Sequence, residues 1–484
     1  MNKQFIRFVV GQVIGVEGIF LLFSSIAGFI CKEQTTIPYV VCGLIYLLIG
    51  FLARKKKPDS YVFYATDGFV IVALSWIILS IFGAIPFYVT REIPRFIDAL
   101  FEVVSGLTTT GSTIMNDVES LSHVSTLWRM FTHWLGGMGI LVFVLAILPM
   151  AGGYAINILK AESPGPSVGK LVAKLSLTAK ILYTIYFVMT LLEVLVLMIC
   201  KMPFFDSLCL SFATAGTGGF GLLNSSFASY SSSVQIVVGI FMMLFGVNFN
   251  IYYFILIGKA KDALKSEELK AYLGTIIVAT LLIAINTLTY YSSAFETLKH
   301  SFFQVSSIIT TTGFSSVNFD LWPTFSKVIL VSIMMMGAMA GSTGGGFKVS
   351  RVVILLKELK RSFLHVINPR RVYVVRFEDK RVDDATLESI KSYLTVYVAV
   401  FAISVLLISL NNFSFTTSFT SVAATLNNIG PGLEIVGPIG NFSSFSVFSK
   451  IVLIFDMLAG RLEILPMLIL FLPLIKEVNK RISY

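Results

Sequence analysis

Residues 96–111 read FIDALFEVVSGLTTTG, an apolar stretch of about three helical turns that runs out into threonine and glycine. Three later segments match it without gaps: FFDSLCLSFATAGTGG at 204–219, LKHSFFQVSSIITTTG at 298–313 and FTTSFTSVAATLNNIG at 415–430. The first and third share TTTG outright, and the first two carry an acid in one register, Asp98 and Asp206. The fourth keeps its place by its glycine and small polar residues. In the second, Gly216, Gly218, Gly219 and Gly221 compete for the register. The match of Thr217-Gly218-Gly219-Phe220 with Thr311-Thr312-Gly313-Phe314 selects Gly219. A recurring unit of this kind decides an architecture before any local propensity does.

The residues around these segments belong in lipid. The chain is 56% hydrophobic and only 13% charged, with mean hydropathy +0.84, more apolar surface than a water-soluble fold can hide. Apolar runs long enough to cross a bilayer as helices are expected at 8–30, 37–53, 68–89, 127–149, 178–200, 234–257, 271–291, 325–356, 392–410 and 449–475. The first is too long for a signal core and lacks a small-residue cleavage site, so it is read as a retained span. With the N-terminus in the cytoplasm, most of the 37 Lys and Arg fall on inside segments, the largest group running from Lys348 to Lys391. This is the positive-inside asymmetry. The net charge of +10 therefore calls for no nucleic acid, and surface attraction to anionic lipid is a secondary reading.

The fold class expected is an all-α integral membrane protein of about ten transmembrane helices, with four helix–pore-loop–helix repeats around one pore. A two-helix unit at 1–60 precedes repeats at 61–155, 170–260, 265–365 and 366–484. The third repeat holds a broken helix, and a basic cytoplasmic segment opens the fourth. Four cysteines lack metal-ligand spacing, the histidines are scattered, and HExxH, Walker A and GxSxG patterns are missing. No enzyme chemistry and no organic cofactor is expected.

The loop chemistry points to a cation. A dehydrated cation needs several oxygens in place of its water shell, and backbone carbonyls from four loops supply them. Glycine reaches φ > 0, which turns its carbonyl toward an axis. The helix ends leading into the loops add negative potential. Irregular polar backbone survives at membrane depth only inside protein or along a water-filled path.

Two features lie beyond the loops. The span beginning near Phe325 is interrupted by Gly337-Ala338-Met339-Ala340-Gly341-Ser342-Thr343-Gly344-Gly345-Gly346, a poor helix at about 1 kcal/mol per glycine against alanine. Arg461 sits inside the last span, where an isolated cation costs roughly 2.5–3.5 kcal/mol and turns toward a polar interior. It either pairs across helices, with Asp456 or Glu463 as awkwardly spaced partners, or projects into the pathway.

SGLTTTG at 105–111, TTTGF at 310–314, NNIGPGL at 427–433, AGSTGGG at 340–346 and AGRLEI at 459–464 together resemble the Trk/Ktr/HKT superfamily of K+ transporters, the bacterial TrkH/TrkG branch being the best fit. The resemblance covers nearly the whole chain and implies K+ uptake across the bacterial cytoplasmic membrane. It implies a filter at Thr109, Thr110 and Gly111; Thr217, Gly218 and Gly219; Thr311, Thr312 and Gly313; and Asn428, Ile429 and Gly430. Gly111 favours K+, since some plant relatives that carry Na+ have Ser there. The resemblance also implies a gate built from Gly337, Gly341, Ser342, Thr343, Gly344, Gly345, Gly346 and Arg461. Its further implications are a homodimer with one pore per subunit, and a cytosolic TrkA-like nucleotide-binding protein that controls opening. The alternative keeps the fold and makes it a Na+- or H+-coupled K+ symporter.

Overall fold

The computed structural model describes residues 3–55, 58, 65–139 and 175–470. The expected basic turn with Lys160, Lys170 and Lys174, the end of the fourth span (140–149), the end of the last (471–475) and the final basic residues lie outside the described residues.

Helices α1 (Lys3–Cys31) and α2 (Thr36–Lys55) form an antiparallel hairpin. Small residues let them meet closely. A Cβ on Gly15 would stand 3.0 Å from the Gly50 Cα, and one on Gly18 2.7 Å from the Gly43 oxygen. Such contacts replace the hydrophobic drive that lipid cannot give.

Each repeat then enters by a long helix, folds a short helix back into the bundle and leaves by another. The first has α3 (Ala65–Val89), α4 (Phe96–Leu107) and α5 (His123–Met138). The second has α6 (Leu175–Ile199), α7 (Phe204–Ala215), α8 (Ser232–Phe245), α9 (Phe249–Leu256) and the short α10 (Ala260–Lys265). The third has α11 (Glu267–Asn286), α12 (Ala294–Ile309), α13 (Thr324–Met336) and α14 (Val349–Ile367). The fourth has α15 (Asp384–Ile408), α16 (Phe415–Leu426), α17 (Val447–Arg461) and α18 (Ile464–Ile469). A hairpin of two-residue strands, β1 (Arg376–Phe377) and β2 (Lys380–Arg381), joins α14 to α15. Exit helices α5, α8 and α17 start on serine caps, with Ser122, Ser231 and Ser446 accepting the N–H three residues on, as a helix start demands.

Among the described residues six helices are long and apolar enough to cross a membrane unbroken. The four exit spans are not continuous, which corrects three of the expected runs. Only the third was expected to break. α5 ends at Met138, before Gly139 at φ +84°; α8 ends at Phe245, and α9 leaves it at 90°; α17 ends at Arg461, before Glu463 at φ +62°. The exit helices are 13 to 16 residues long, about 20–24 Å at 1.5 Å per residue against a hydrocarbon core of about 30 Å. Hydropathy did not register these breaks because their freed backbone groups find partners inside the protein, so no polar residues are needed.

Candidate cation pathway

Helices α4, α7, α12 and α16 end in one backbone motif. Thr109, Thr217, Thr311 and Asn428 donate their N–H to the carbonyl three residues back, at 2.9–3.2 Å. Thr110, Gly218, Thr312 and Ile429 donate to the carbonyl five back, at 2.8 Å in all four. This is the Schellman ending, which normally places glycine in the left-handed position. Here that position holds threonine or asparagine at φ +53° to +61°, at a cost of roughly 1–2 kcal/mol each. Two residues on, Gly111, Gly219, Gly313 and Gly430 lie at φ +82°, +85°, +86° and +102°. Only glycine reaches these torsions without steric cost.

The four loops close on one another. A Cβ on Gly111 would strike the Gly218 oxygen, one on Gly219 the Thr312 oxygen, and one on Gly313 the Ile429 oxygen. A Cβ on Gly430 would stand 2.8 Å from the Thr110 oxygen. Each glycine thus abuts the carbonyl that precedes the next loop's glycine, and the fourth abuts the first. All four line one cavity of about 150 Å³. Side chains lock loop four to loop one: Asn428 Nδ2 donates to Thr110 Oγ1 at 2.9 Å, and Ser112 Oγ to the Gly430 oxygen at 3.1 Å.

Behind the ring, Thr108, Thr310, His133, Glu102 and Arg129, none of them an expected site residue, brace the loops. Loops one and three pair their threonine hydroxyls, Thr108 with Thr110 and Thr310 with Thr312, at 2.8 Å. Loop two has Gly216 and Gly218 at those places because His133 fills the space. A Cβ on Gly218 would run into the His133 ring, and one on Gly216 into its carbonyl. His133 Nδ1 bonds the Gly106 oxygen at 2.8 Å, and its Nε2 accepts the Phe220 N–H at 3.2 Å. The carbonyl requires the proton on Nδ1 and the N–H requires a bare Nε2, so the ring is neutral. Nearby, Arg129 Nε meets Glu102 Oε1 at 2.7 Å with both side chains buried. Glu102 also accepts Thr113 Oγ1 and the Ile114 N–H, and Arg129 donates to the Gly221 oxygen. The available signal was an acid and a base inside apolar helices.

Residues 337–346 pass directly beneath loops three and four. The Gly345 N–H donates to Thr311 Oγ1 at 2.6 Å, and a Cβ on Gly344 would stand 2.8 Å from the Thr310 oxygen. A Cβ on Gly346 would stand 2.7 Å from the Gly337 Cα, so the segment closes on itself. It also fills the α8–α9 break. Met339 N–H donates to the Gly246 oxygen at 3.2 Å, Thr343 Oγ1 to the Phe245 oxygen at 3.1 Å, and Phe249 N–H to the Gly341 oxygen at 3.0 Å. Two interruptions thus satisfy each other, which a membrane interior requires. Ser342 turns inward onto the Met339 oxygen at 2.7 Å.

Arg461 reaches across the bundle. It donates to the Thr343 oxygen at 2.8 Å, to the Gly137 oxygen at 2.5 Å and to the Gly136 oxygen. It therefore ties residues 337–346 to the end of α5. The two suggested acidic partners are engaged elsewhere, Asp456 with Ser404 at 2.7 Å and Glu463 with Arg351 at 2.6 Å. Lys348 departs from its expected place on the basic inside surface. It is 1% exposed and donates to the Gly344 oxygen, a second cation at the level of Arg461.

Among the described residues, Cys31, Glu33 and His123 bring three metal-ligating atoms within 4.8 Å of one another. Glu33 there serves the start of α5, accepting the His123 N–H at 2.8 Å and the Val124 N–H at 3.2 Å.

Four re-entrant segments whose terminal glycines close one ring against each other's carbonyls within a helical bundle define a pore-loop membrane protein. Residues 32–479 match the family model of TrkH, described as a cation transport protein, and the chain belongs to that family. It is 36% identical to the Trk system potassium uptake protein TrkH of Salmonella typhimurium, over 98% of this chain and 99% of that one. It is 30% identical to the Trk system potassium uptake protein TrkG of Escherichia coli, over 97% and 99%. The crystal structure of the potassium transporter TrkH from Vibrio parahaemolyticus matches with a TM-score of 0.87 at 29% identity, over 97% of this chain and 98% of that one.

Proposed function

We propose that this chain takes up K+ across the bacterial cytoplasmic membrane, with the ring of Gly111, Gly219, Gly313 and Gly430 as its filter and residues 337–346 with Arg461 as its gate. The observation that carries this reading is the cyclic contact of each glycine with the next loop's carbonyl. A closed ring of four equivalent backbones is what a dehydrated cation needs. The names of the relatives support K+ as the ion.

In this reading the N-terminus is cytoplasmic and the chain is a transporter without enzymatic chemistry or organic cofactor. Two copies assemble, each with its own pore. A cytosolic nucleotide-binding protein of the TrkA type governs opening, docking near exposed Arg370 and Arg371 beyond α14. The test is Rb+ flux into liposomes holding purified protein, with and without such a partner. Flux that follows the Rb+ gradient alone supports a channel. Flux that requires a Na+ or proton gradient replaces it with the symport reading. No flux under any of these conditions overturns the transport assignment.

A further inference from the structure

Helix α11 opens with Glu267 and Glu268, and these acids bind three separate pieces of the chain. Glu268 is buried, and its Oε1 accepts the Ala340 N–H at 2.8 Å and the Ser350 N–H at 3.1 Å. Ala340 lies within the glycine-rich segment and Ser350 in the first turn of α14. One oxygen therefore pins the segment to the helix that follows it. At the same turn of α11, Glu378 Oε1 accepts the Ser266 hydroxyl at 2.7 Å and the Glu268 N–H at 3.1 Å. Glu378 sits in the turn between β1 and β2, at φ +51° beside Asp379 at +59°. Glu267 pairs with Lys357 of α14, whose ammonium also donates to the Arg376 oxygen of β1 at 2.9 Å.

We propose that Glu378 and Glu268 are positioning residues forming a two-carboxylate linkage, through which the β1–β2 hairpin holds the glycine-rich segment in place beneath the filter. Glu378 fixes the first turn of α11 by satisfying its free N–H against the positive end of the helix. That turn aims the Glu268 side chain. Glu268 in turn supplies the acceptor for two buried backbone donors that a membrane interior leaves without water. Displacing the hairpin removes the first restraint and frees the second. A cytosolic event at an exposed turn thereby reaches a buried segment that it does not touch. The inference rests on the gate reading given above, and its test separates the two.

The first readout is amide hydrogen exchange of the full-length protein in liposomes, which needs no transport. E378A and E268A are expected to speed exchange across residues 337–351, with E268Q, which keeps a carbonyl acceptor, closer to wild type. The second is partner-free Rb+ flux, expected to rise about tenfold in E268A and by less in E378A, within the usual range of coupling between sites. The double variant E268A/E378A is expected to match E268A alone, because residues acting in series do not add. E378Q, which keeps a carbonyl acceptor for the Ser266 hydroxyl and the Glu268 N–H, is the milder variant should E378A fail to fold. Unchanged exchange in both single variants overturns the linkage, as does a double variant whose effect is the product of the singles. If R461A raises flux and E268A does not, the linkage fails while the gate stands. If no variant passes Rb+, the transport reading fails and exchange alone decides the linkage.

Discussion

The glycine ring and the interrupted exit helices are both fourfold, yet they are built differently. The four re-entrant loops have four different sequences and one backbone, down to a shared 2.8 Å bond after each left-handed residue. The four breaks have different backbones: a glycine at φ +84°, a 90° bend, a ten-residue glycine-rich segment and a glutamate at φ +62°. An ion on an axis needs equivalent ligands, so the loops are held alike while the side chains behind them vary. Closing a path needs only one obstruction, so a single repeat can supply the segment and another the cation that ties it down.

The largest effect should come from breaking the symmetric half. Alanine at Gly111, Gly219 or Gly313 forces a methyl group onto a neighbouring carbonyl at a φ that side chains avoid. The strain alone costs on the order of 1–3 kcal/mol, and the clash adds to it. Rb+ flux is expected to fall at least about a hundredfold in each. Gly430 has the most room, 2.8 Å to the Thr110 oxygen, so G430A should be the mildest of the four. Equal losses at all four positions would show that steric fit around the ring does not set the outcome.

Breaking the asymmetric half should act in the opposite direction. Arg461 holds three carbonyls from two elements, a reach that the point charge of lysine does not reproduce. R461A is expected to raise partner-free Rb+ flux roughly tenfold, and R461K by less. A well-folded R461A with wild-type or lower flux would return Arg461 to a purely structural role.

The same contrast explains what the sequence could and could not disclose. The glycine register was readable because backbone geometry limits the residue allowed at each loop's end. Gly219 was singled out among four neighbouring glycines, and it occupies the ring. The break at residues 337–346 was readable because so many glycines in a row cannot form a helix. The breaks after Met138, Phe245 and Arg461 were not. The carbonyls at the ends before Gly139 and Gly246 are met by Arg461, Tyr252, Tyr272 and the glycine-rich segment, partners that lie on other elements of the fold. His133 and Lys348 were misjudged for a related reason. A residue bracing another loop looks, in one dimension, like an isolated histidine or one more cytoplasmic lysine.

His133 offers a sharper test of why loop two differs from loops one and three. Replacing it with alanine leaves the Gly106 oxygen and the Phe220 N–H without their partner and opens a void beside Gly218. Unmade buried bonds cost about 1–3 kcal/mol. The ring should survive but loosen on one side, and K+ preference over Na+ is expected to drop severalfold in bi-ionic measurements. H133A/G218T, which returns a threonine to the vacated space, should regain part of it. Selectivity unchanged in H133A would mean that loop two keeps its shape without the imidazole.

The smallest effect concerns the outer support of loop four. Glu434 accepts the hydroxyls of Ser414 and of Thr417, the latter at 2.8 Å, at the start of α16. These bonds, that of Ser414 foremost, hold its carboxyl below the ordinary value of 4.5. A depressed folded-state pKa contributes stability above the unfolded value and loses it as pH falls through the folded one. The residue is exposed, so solvent screening keeps the contribution small. Wild type is expected to melt about a degree or two above E434Q at pH 7, and the gap should shrink as pH falls below the ordinary carboxylate value of 4.5 and through the depressed folded one. Rb+ flux should be the same in both, because Glu434 supports the start of a pore helix and not its filter end. A gap that persists undiminished in acid would show that Glu434 acts through packing and not through its charge.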